Sequence, residues 1–475
     1  MIYNMALIDR RNFLKKISIS GAACFIGALT IPEYITGFLG NEKTLKKNVK
    51  RPICRVKKEV YIASPLPQVA SNVSMEYIGR GLCREEIRSS QRSSDWGDSE
   101  KRRRSEDNGR TWSEWVPVLK ETLVEGQLTQ EGGPSQRGTG PIDPISGRLI
   151  KPVFQRILKG DPVIALSELW KGNRLFCDHG FYQLSADDGK TWGEAHQLKY
   201  EEGPDFDSGN WGNEAFYRSN EMYIGRAITL KNGTVAISAS VPILYRDEED
   251  EKYPSVFPNT YREGCVSGAI CFIGKWNVKA EDYDWKESNR IFLPRKISSR
   301  GLVELDLSEL KNGNLLLIMR GSNAGLDIVQ SPGRKWFSVS RDGGLTWDNV
   351  KEMRYDTGEQ FYSPASVSAT IRSNKTGKLY WVGNITEVPA VANSPRFPLV
   401  IVEIDEKGPS FIKDTLTVID DRNPEKDSEH LQLSNFSLLE DRETHNMEIY
   451  LTRLGEHGGG NDIWTADAYK YTLIF

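Results

Sequence analysis

The sequence has few cysteines and histidines, and no two cysteines are spaced as Cys-x-x-Cys. A zinc site is therefore not expected, and we predict no metal and no cofactor. The five cysteines beyond Cys24 are odd in number, so at least one thiol is free; Cys265 and Cys271 could pair, which the sequence leaves open. The five histidines are scattered, and they support no Ser-His-Asp arrangement of an esterase.

The sequence also lacks an excess of charge of either sign. The 62 lysines and arginines nearly balance 65 aspartates and glutamates, for a net charge of -3. No overall field would attract nucleic acid, so that class of partner is not expected. Any acidic ligand would have to be recognised by locally placed arginines. No run after the first 32 residues is long and apolar enough to span a membrane.

Basic residues precede an apolar run at the N-terminus, the pattern of an export signal. Arg10 and Arg11 are followed by Phe-Leu-Lys-Lys and then by the mostly apolar residues 17–32. The pattern is similar to the twin-arginine signal of bacteria, although an ordinary signal peptide could contain the same pair. We predict a signal peptide over residues 1–40, a linker over 41–57 and one domain over 58–475, located in the periplasm or secreted.

One eight-residue pattern, Ser-x-Asp-x-Gly-x-Thr-Trp, occurs three times, at residues 105–112, 185–192 and 340–347. Ser and Asp side chains can bond the amides of a tight turn, and Gly can occupy its positive-φ position. We expect the Trp of each copy to be buried between neighbouring sheets. Repeats of this kind indicate an array of similar units.

Short β-rich runs alternate with turn residues along the rest of the chain, which predicts an all-β fold. Four hairpin turns are indicated by Gly-containing pairs between apolar residues, at 146–149, 231–235, 311–315 and 375–379. The polar, acidic residues 279–288 read as a surface loop.

The repeated motif resembles the Asp-box of the sialidase (neuraminidase) superfamily, whose members are six-bladed β-propellers. The resemblance implies an all-β six-bladed propeller. It also implies that Asp107, Asp187 and Asp342 are structural, since the boxes of that family lie on the blade rim away from the active centre.

Three further segments are similar to sialidase active-site segments. Gln91 to Asp98 resembles the stretch in which an Arg precedes the catalytic acid/base, giving Arg92 and Asp95 those roles, with Asp98 in reserve. Glu304 and Arg320 flank a Glu-Leu…Gly hairpin as the family's catalytic Glu and one carboxylate-binding Arg do. The Asn-Ser-Pro-Arg run ending at Arg396 resembles the segment that supplies another such Arg.

The sequence departs from the family at two places. The Phe/Tyr-Arg-Ile-Pro motif that carries the first arginine is absent, and Arg80 is only a weak substitute. Phe436 stands where the nucleophilic Tyr belongs, so either the alignment slips, another residue such as Tyr362 serves, or no Tyr nucleophile exists.

The resemblance implies an exported exo-acting glycoside hydrolase that cleaves a terminal acidic sugar from a glycan. Asp95 and Glu304 could instead act as a carboxylate pair, inverting at a separation of about 6.5–9.5 Å and retaining at about 5–5.5 Å. The alternatives are a glycan-binding propeller without catalysis and a different glycosidase on the same scaffold.

Overall fold

The computed structural model describes a large part of the chain: residues 52–64, 67–91, 99–118, 120–124, 127–132, 142–158, 168, 176–207, 218–253 and 264–475. The predictions for the signal peptide and for most of the linker lie outside these ranges. Within them, the secondary structure consists of β-strands in six antiparallel sheets, joined by turns and a few single-turn helices. The sheets are the blades of a six-bladed β-propeller, so the predicted fold class is confirmed.

The strands follow the chain from blade to blade. The first strand, β1 (Arg55–Ile62), belongs to the last blade. The first blade holds β2 (Ala70–Tyr77), β3 (Arg84–Gln91), β4 (Ser99–Ser105) and β5 (Val116–Pro117). The second holds β6 (Lys120–Val124), β7 (Gln127–Gly132), β8 (Leu149–Leu158), β9 (Phe176–Ser185) and β10 (His196–Gln197). The third holds β11 (Tyr223–Thr229), β12 (Val235–Leu244), β13 (Cys265–Asn277) and β14 (Asp282–Glu287).

The last three blades continue the pattern. The fourth holds β15 (Val303–Glu309), β16 (Leu315–Arg320), β17 (Lys335–Ser340) and β18 (Lys351–Glu352). The fifth holds β19 (Ala369–Arg372), β20 (Leu379–Asn384), β21 (Leu399–Asp405), β22 (Ser410–Phe411) and β23 (Thr417–Asp420). The sixth holds β24 (Ser437–Glu440), β25 (Met447–Thr452) and β26 (Ala468–Ile474). Short 3₁₀ helices lie at Asp250–Lys252, Lys413–Thr415 and Gly460–Trp464. No helix in the described ranges is long and apolar enough to cross a membrane.

The ring closes through β1, which completes the sixth blade. It pairs with β26 in antiparallel register, from Arg55 opposite Ile474 to Ile62 opposite Ala468. Asp420 at the end of β23 receives the ammonium of Lys58 at 2.9 Å and the hydroxyl of Tyr471 at 2.6 Å. Asp420 therefore links the fifth blade to both β1 and β26.

The core lies between blades rather than inside one central layer. Each strand buries apolar residues against the neighbouring sheet, and large clusters fill the spaces between the later blades. First strands of successive blades, such as β11, β15, β19 and β24, contact one another around the axis. The starts of these first strands therefore lie at one end of the axis, and their ends lie at the other.

The predicted hairpins are present, because β8, β12, β16 and β20 begin at Leu149, Val235, Leu315 and Leu379, each at the end of its turn. In the fourth blade the amide of Leu310 donates to Asn314 and the amide of Gly313 to Leu310, with Gly313 at φ +85°. Asn-Gly turns are thus a reliable signal in this chain.

The three repeats have the same pattern of Ser and Asp hydrogen bonds, and each lies between the last two strands of its blade. In the second, the hydroxyl of Ser185 accepts the Gly189 amide at 2.8 Å, and Asp187 accepts the amide and hydroxyl of Thr191 at 2.9 and 2.6 Å. These hydrogen bonds satisfy polar groups of the turn that would otherwise have to bond to water. The Asp therefore has a structural role.

The burial predicted for the three tryptophans is correct for Trp347 alone. Trp347 is 6% exposed and packs among leucines of the third and fourth blades. Trp112 and Trp192 are only half-buried. Their outer faces lie under cations instead, Arg103 at 4.5 Å and Lys151 at 5.5 Å from the ring centres.

One other expectation is wrong, and one possibility that the sequence left open is excluded. Residues 282–287 are strand β14 and not part of a loop, because Tyr283 and Trp285 pack against the second blade's Tyr182. Cys265 and Cys271 cannot pair, since both lie on β13, six residues apart, which separates them by about 20 Å. Cys54, Cys83 and Cys271 are free thiols.

We predict that Trp347→Ala lowers the free energy of unfolding by about 3–5 kcal/mol, because a buried indole leaves a cavity. Trp192→Ala is the matched control and should cost clearly less, since that side chain is already partly exposed to water. Urea unfolding followed by fluorescence measures both. Equal losses would contradict the packing described here.

The stability of the boxes should depend on pH. Bonds from the hydroxyl and amide of Thr191 lower the pKa of Asp187 to about 2. A folded pKa below the unfolded value of about 3.9 stabilises the fold above pH 4, and that contribution is lost as pH falls towards 2. Asp187→Asn should therefore be less stable than the parent at pH 7, with a difference that shrinks below pH 4. Asp188→Asn, at the exposed neighbouring position, should show no such trend in denaturant titrations.

Candidate functional site

A cavity of about 150 Å³ lies at the end of the axis where the first strands of the blades begin. Strands of the second, third and fourth blades line it, and its charged residues are Arg156, Asp178, Glu221, Glu304 and Arg320. Two of the predicted site residues, Glu304 and Arg320, therefore share one cavity.

The entry to β15 aims Glu304 into this cavity. Gly301, at φ +64°, passes so close to the third blade that an added Cβ would lie 2.1 Å from the carbonyl oxygen of Ser267. Pairing between β15 and β16 then shifts between Val303 and Asp306, and Glu304 itself has φ +52°. A bulge with a non-Gly residue at positive φ re-aims a side chain and persists only where the surroundings hold it.

Arg320 is the direct partner of Glu304. Its guanidinium Nη1 bonds Oε1 of Glu304, and its side chain is only 8% exposed against 24% for Glu304. Lys335, opposite Arg320 in the next strand, is fully buried, and its ammonium donates to the carbonyl of Ser366 in the fifth blade.

Arg396 reaches the same region from the fifth blade. Its guanidinium donates to Oε1 of Gln432 at 2.8 Å and to the carbonyl of Ala365 at 3.0 Å. The buried amide of Asn384 holds the surrounding backbone, donating to the carbonyls of Arg396 and Leu433. Arg396 is thus fixed by its supports before any ligand binds.

Four cations act on the charge of Glu304. Burial by itself would raise the pKa of Glu304, but the charges of Arg320, Arg396, Lys335 and Arg300 outweigh it and hold the pKa below its usual value. One carboxylate therefore stays ionised among four cations. The positive charge around Glu304 favours an anionic ligand on that wall of the cavity, whereas the opposite wall carries Asp178 and Glu221.

Three polar atoms of the site have no hydrogen-bond partner among the described residues. Oε2 of Glu304 and Nε of Arg320 are buried without a hydrogen bond, as is the hydroxyl of Ser240 on the cavity wall. Leaving such atoms unpaired costs about 1–3 kcal/mol each. A bound ligand that supplied an acceptor and a donor would recover that energy.

The opposite wall of the cavity contains residues that sequence reasoning missed. Arg156 grips Asp178 through two bonds of 2.5 and 2.6 Å, with Asp178 only 1% exposed, and Glu221 lies beside them. No sequence motif marks this pair, because the two residues meet only through pairing of β8 with β9. Lys335 and Arg300 were missed for the same reason.

His179, which follows Asp178 in the sequence, has a structural role. It is fully buried, and its ring stacks on Phe206 with the ring centres 4.4 Å apart. Nothing in this geometry favours an acid/base role.

No tyrosine hydroxyl bonds Glu304 within the described ranges, although Tyr223 at the start of β11 lines the same cavity. Phe436 is 3% exposed and packs in the apolar core between the fifth and sixth blades, so it does not lie where the resemblance places the nucleophilic Tyr. The preceding residue, Asn435, is exposed, with φ +59°. Tyr362 lies against Arg334, its ring centre 4.6 Å from the guanidinium, and not against Glu304.

The remaining predicted residues are not found at this site among the described residues. Arg92, Asp95 and Asp98 lie outside the described residues, between the end of β3 and the start of β4. Arg80, the weak substitute for the first arginine, lines a different cavity at the other end of the axis. No group of three or more His, Cys, Asp or Glu among the residues described could hold a metal ion.

No protein-family model matches the chain, and no curated protein is similar to it. Solved structures share its fold. A protein of unknown function from Dyadobacter fermentans matches with a TM-score of 0.55 and 14% identity, over 88% of this chain and 99% of that one. A Hadza microbial sialidase matches with a TM-score of 0.50 and 13% identity, over 85% of this chain and 65% of that one. The chain thus has the propeller fold of sialidases, at low identity.

We predict that Glu304→Gln turns the cation cluster into a stronger anion site. Removal of the carboxylate leaves Arg320, Lys335 and their neighbours without their shared counter-charge, which destabilises the fold. Sulfate should therefore raise the melting temperature of this variant more steeply than that of the parent. Glu403→Gln, which removes a carboxylate paired with Lys378 on the outer part of the fifth blade, is the control. Identical sulfate responses in all three proteins would contradict the cluster.

Proposed function

We propose that the protein is an exported glycoside hydrolase that releases a terminal acidic sugar, such as sialic acid, from a glycan. The observation that supports this most is that the carboxylate of Glu304 is held ionised among Arg320, Arg396 and other cations. The sialidase-like fold is compatible with this function without deciding it.

Arg320 and Arg396 would bind the carboxylate of the sugar. A planar guanidinium can meet a carboxylate with two parallel bonds, which an ammonium cannot do. Arg320 has an unpaired Nε facing the site, and the support of Arg396 by Gln432 orients its guanidinium in advance. Preorganisation of this kind lowers the entropic cost of binding.

Glu304 and Asp95 would carry the chemistry. Asp95 would protonate the departing oxygen as general acid, and Glu304 would act at the anomeric carbon, stabilising positive charge there or activating the attacking group. Because its pKa is lowered, Glu304 is ionised at neutral pH, as that second role requires. The identity of any nucleophile is not part of the proposal, since Phe436 is confined to the core.

A screen of the purified protein against sialosides, uronosides and neutral glycosides tests the substrate class. We expect turnover of substrates that carry a carboxylate and none of neutral ones. Arg320→Lys should lower kcat/KM on the best substrate by about 10- to 100-fold, because the bidentate contact is lost. Arg334→Lys is the matched control, a largely buried arginine that pairs with Glu352 instead. Preference for a neutral glycoside would refute the proposal.

Comparison of leaving groups separates the two carboxyl residues. Asp95→Asn should lower turnover most on glycans with poor leaving groups, which depend on proton donation, and least on aryl glycosides. Glu304→Gln should lower turnover on both classes equally. Full activity of both variants would remove these residues from the mechanism.

A glycan-binding propeller without catalysis is the second candidate. It is favoured by the lack of a tyrosine hydroxyl on Glu304 within the described residues and by the buried position of Phe436. In that case sialyllactose would bind, by calorimetry, with a dependence on Arg320, yet no free sugar would appear on prolonged incubation.

The proposed location, periplasmic or secreted, depends on the predicted twin-arginine signal in residues 1–40. If that signal is used, replacing both Arg10 and Arg11 with lysine should keep the protein in the cytoplasm of a bacterial host.

A further inference from the structure

A second and larger cavity, of about 570 Å³, lies at the end of the axis opposite Glu304. The ends of the first strands line it, including Leu307 to Glu309 of β15, whereas Glu304 lies at the start of the same strand. A strand of seven residues spans about 20 Å, so the two cavities are separate sites. This volume falls in the range of small-molecule pockets, about 300–1,000 Å³.

Four arginines from four different blades line this axial cavity. They are Arg80 from the first, Arg226 from the third, Arg372 from the fifth and Arg442 from the sixth. Arg226 already pairs with Asp306 at 3.6 Å, and Arg372 pairs with Glu406 at 2.7 Å. Their charges are therefore largely neutralised by the fold.

The other two arginines have no acidic partner among the described residues. Arg442 donates to the backbone carbonyls of Gly79 and Gly81, and its guanidinium lies 4.3 Å from the ring centre of Tyr77. Arg80 is exposed and makes no ion pair or hydrogen bond with any described residue. Two positive charges at the cavity thus lack a counter-charge.

The acidic lining does not cancel these charges. Glu309 is the one carboxylate among the described lining residues, and its Oε2 already accepts the backbone amide of Lys231 at 2.9 Å. The remaining wall has a strongly apolar part, formed by the half-buried Ile142, Ile228 and Ile371. Positive charge and branched aliphatic surface therefore face the same cavity.

We propose that this axial cavity is a second binding site, for a small organic anion whose apolar body packs on the isoleucines while its carboxylate meets Arg80 and Arg442. The pairing of a charged end with an apolar body explains both halves of the wall. An inorganic anion would use only the arginines, and a neutral aromatic molecule only the isoleucines.

The test is calorimetric titration of the full chain with benzoate, inorganic phosphate and benzyl alcohol at low ionic strength. All titrations are made in the Arg320→Gln background, which removes the principal arginine of the opposite cavity. We expect benzoate to bind, and phosphate and benzyl alcohol to bind several-fold more weakly. Benzoate binding should also weaken as salt is raised.

Variants at Arg80 locate the site without disturbing the fold, since this exposed side chain makes no hydrogen bond or ion pair with any described residue. Arg80→Ala should weaken benzoate binding by about 3- to 10-fold and Arg80→Glu should abolish it. Arg341→Ala, which removes an exposed arginine from the third box, is the control and should leave binding unchanged.

Three results would overturn the proposal. They are no benzoate binding, benzoate binding no tighter than that of phosphate, and equal affinities in the parent and Arg80→Glu. None of them bears on the glycosidase proposal, which depends on the other end of the axis.

Discussion

The fold depends on closure of a ring. A propeller blade can bury its faces only against its two neighbours, so an open ring would expose two apolar faces. Here β1 closes it by pairing with β26, and Asp420 of the fifth blade ties both strands through Lys58 and Tyr471. Closure gathers the starts of six inner strands at one end of the axis. The candidate site is built at that place.

The site is a concentration of charge that the fold keeps ordered in advance. A fully buried lysine is costly unless it is paired, and Lys335 is held by the carbonyl of Ser366 and by the field of Glu304. Arg320 and Arg396 are likewise fixed by protein partners. Such a cluster costs stability, and the unpaired atoms of Glu304 and Arg320 add to the cost. A role in binding an anion would account for it.

Much of the fold could be predicted from the sequence because its signals are local. The boxes and the Asn-Gly turns at Asn232 and Asn312 carry their own hydrogen-bond partners within a few residues. The spacing between Glu304 and Arg320 is also local, since one hairpin joins them. These features need no knowledge of the rest of the chain.

The rest of the site could not be predicted, because it depends on contacts between distant segments. Lys335 reads as an ordinary strand residue until the fifth blade buries it. Arg156 and Asp178 meet only across β8 and β9. The predicted position of Phe436 is wrong. Just before β24, Asn435 has φ +59° and is exposed, whereas Phe436 packs in the core. Local strand patterns do not reveal such a turn of the backbone.

A crystal structure of the protein with bound sialic acid would test the central claim most directly. The account predicts that the sugar carboxylate lies within hydrogen-bond distance of Arg320 and Arg396, with Glu304 beside the anomeric carbon. A sugar bound elsewhere, or one whose carboxylate faces away from both arginines, would contradict it.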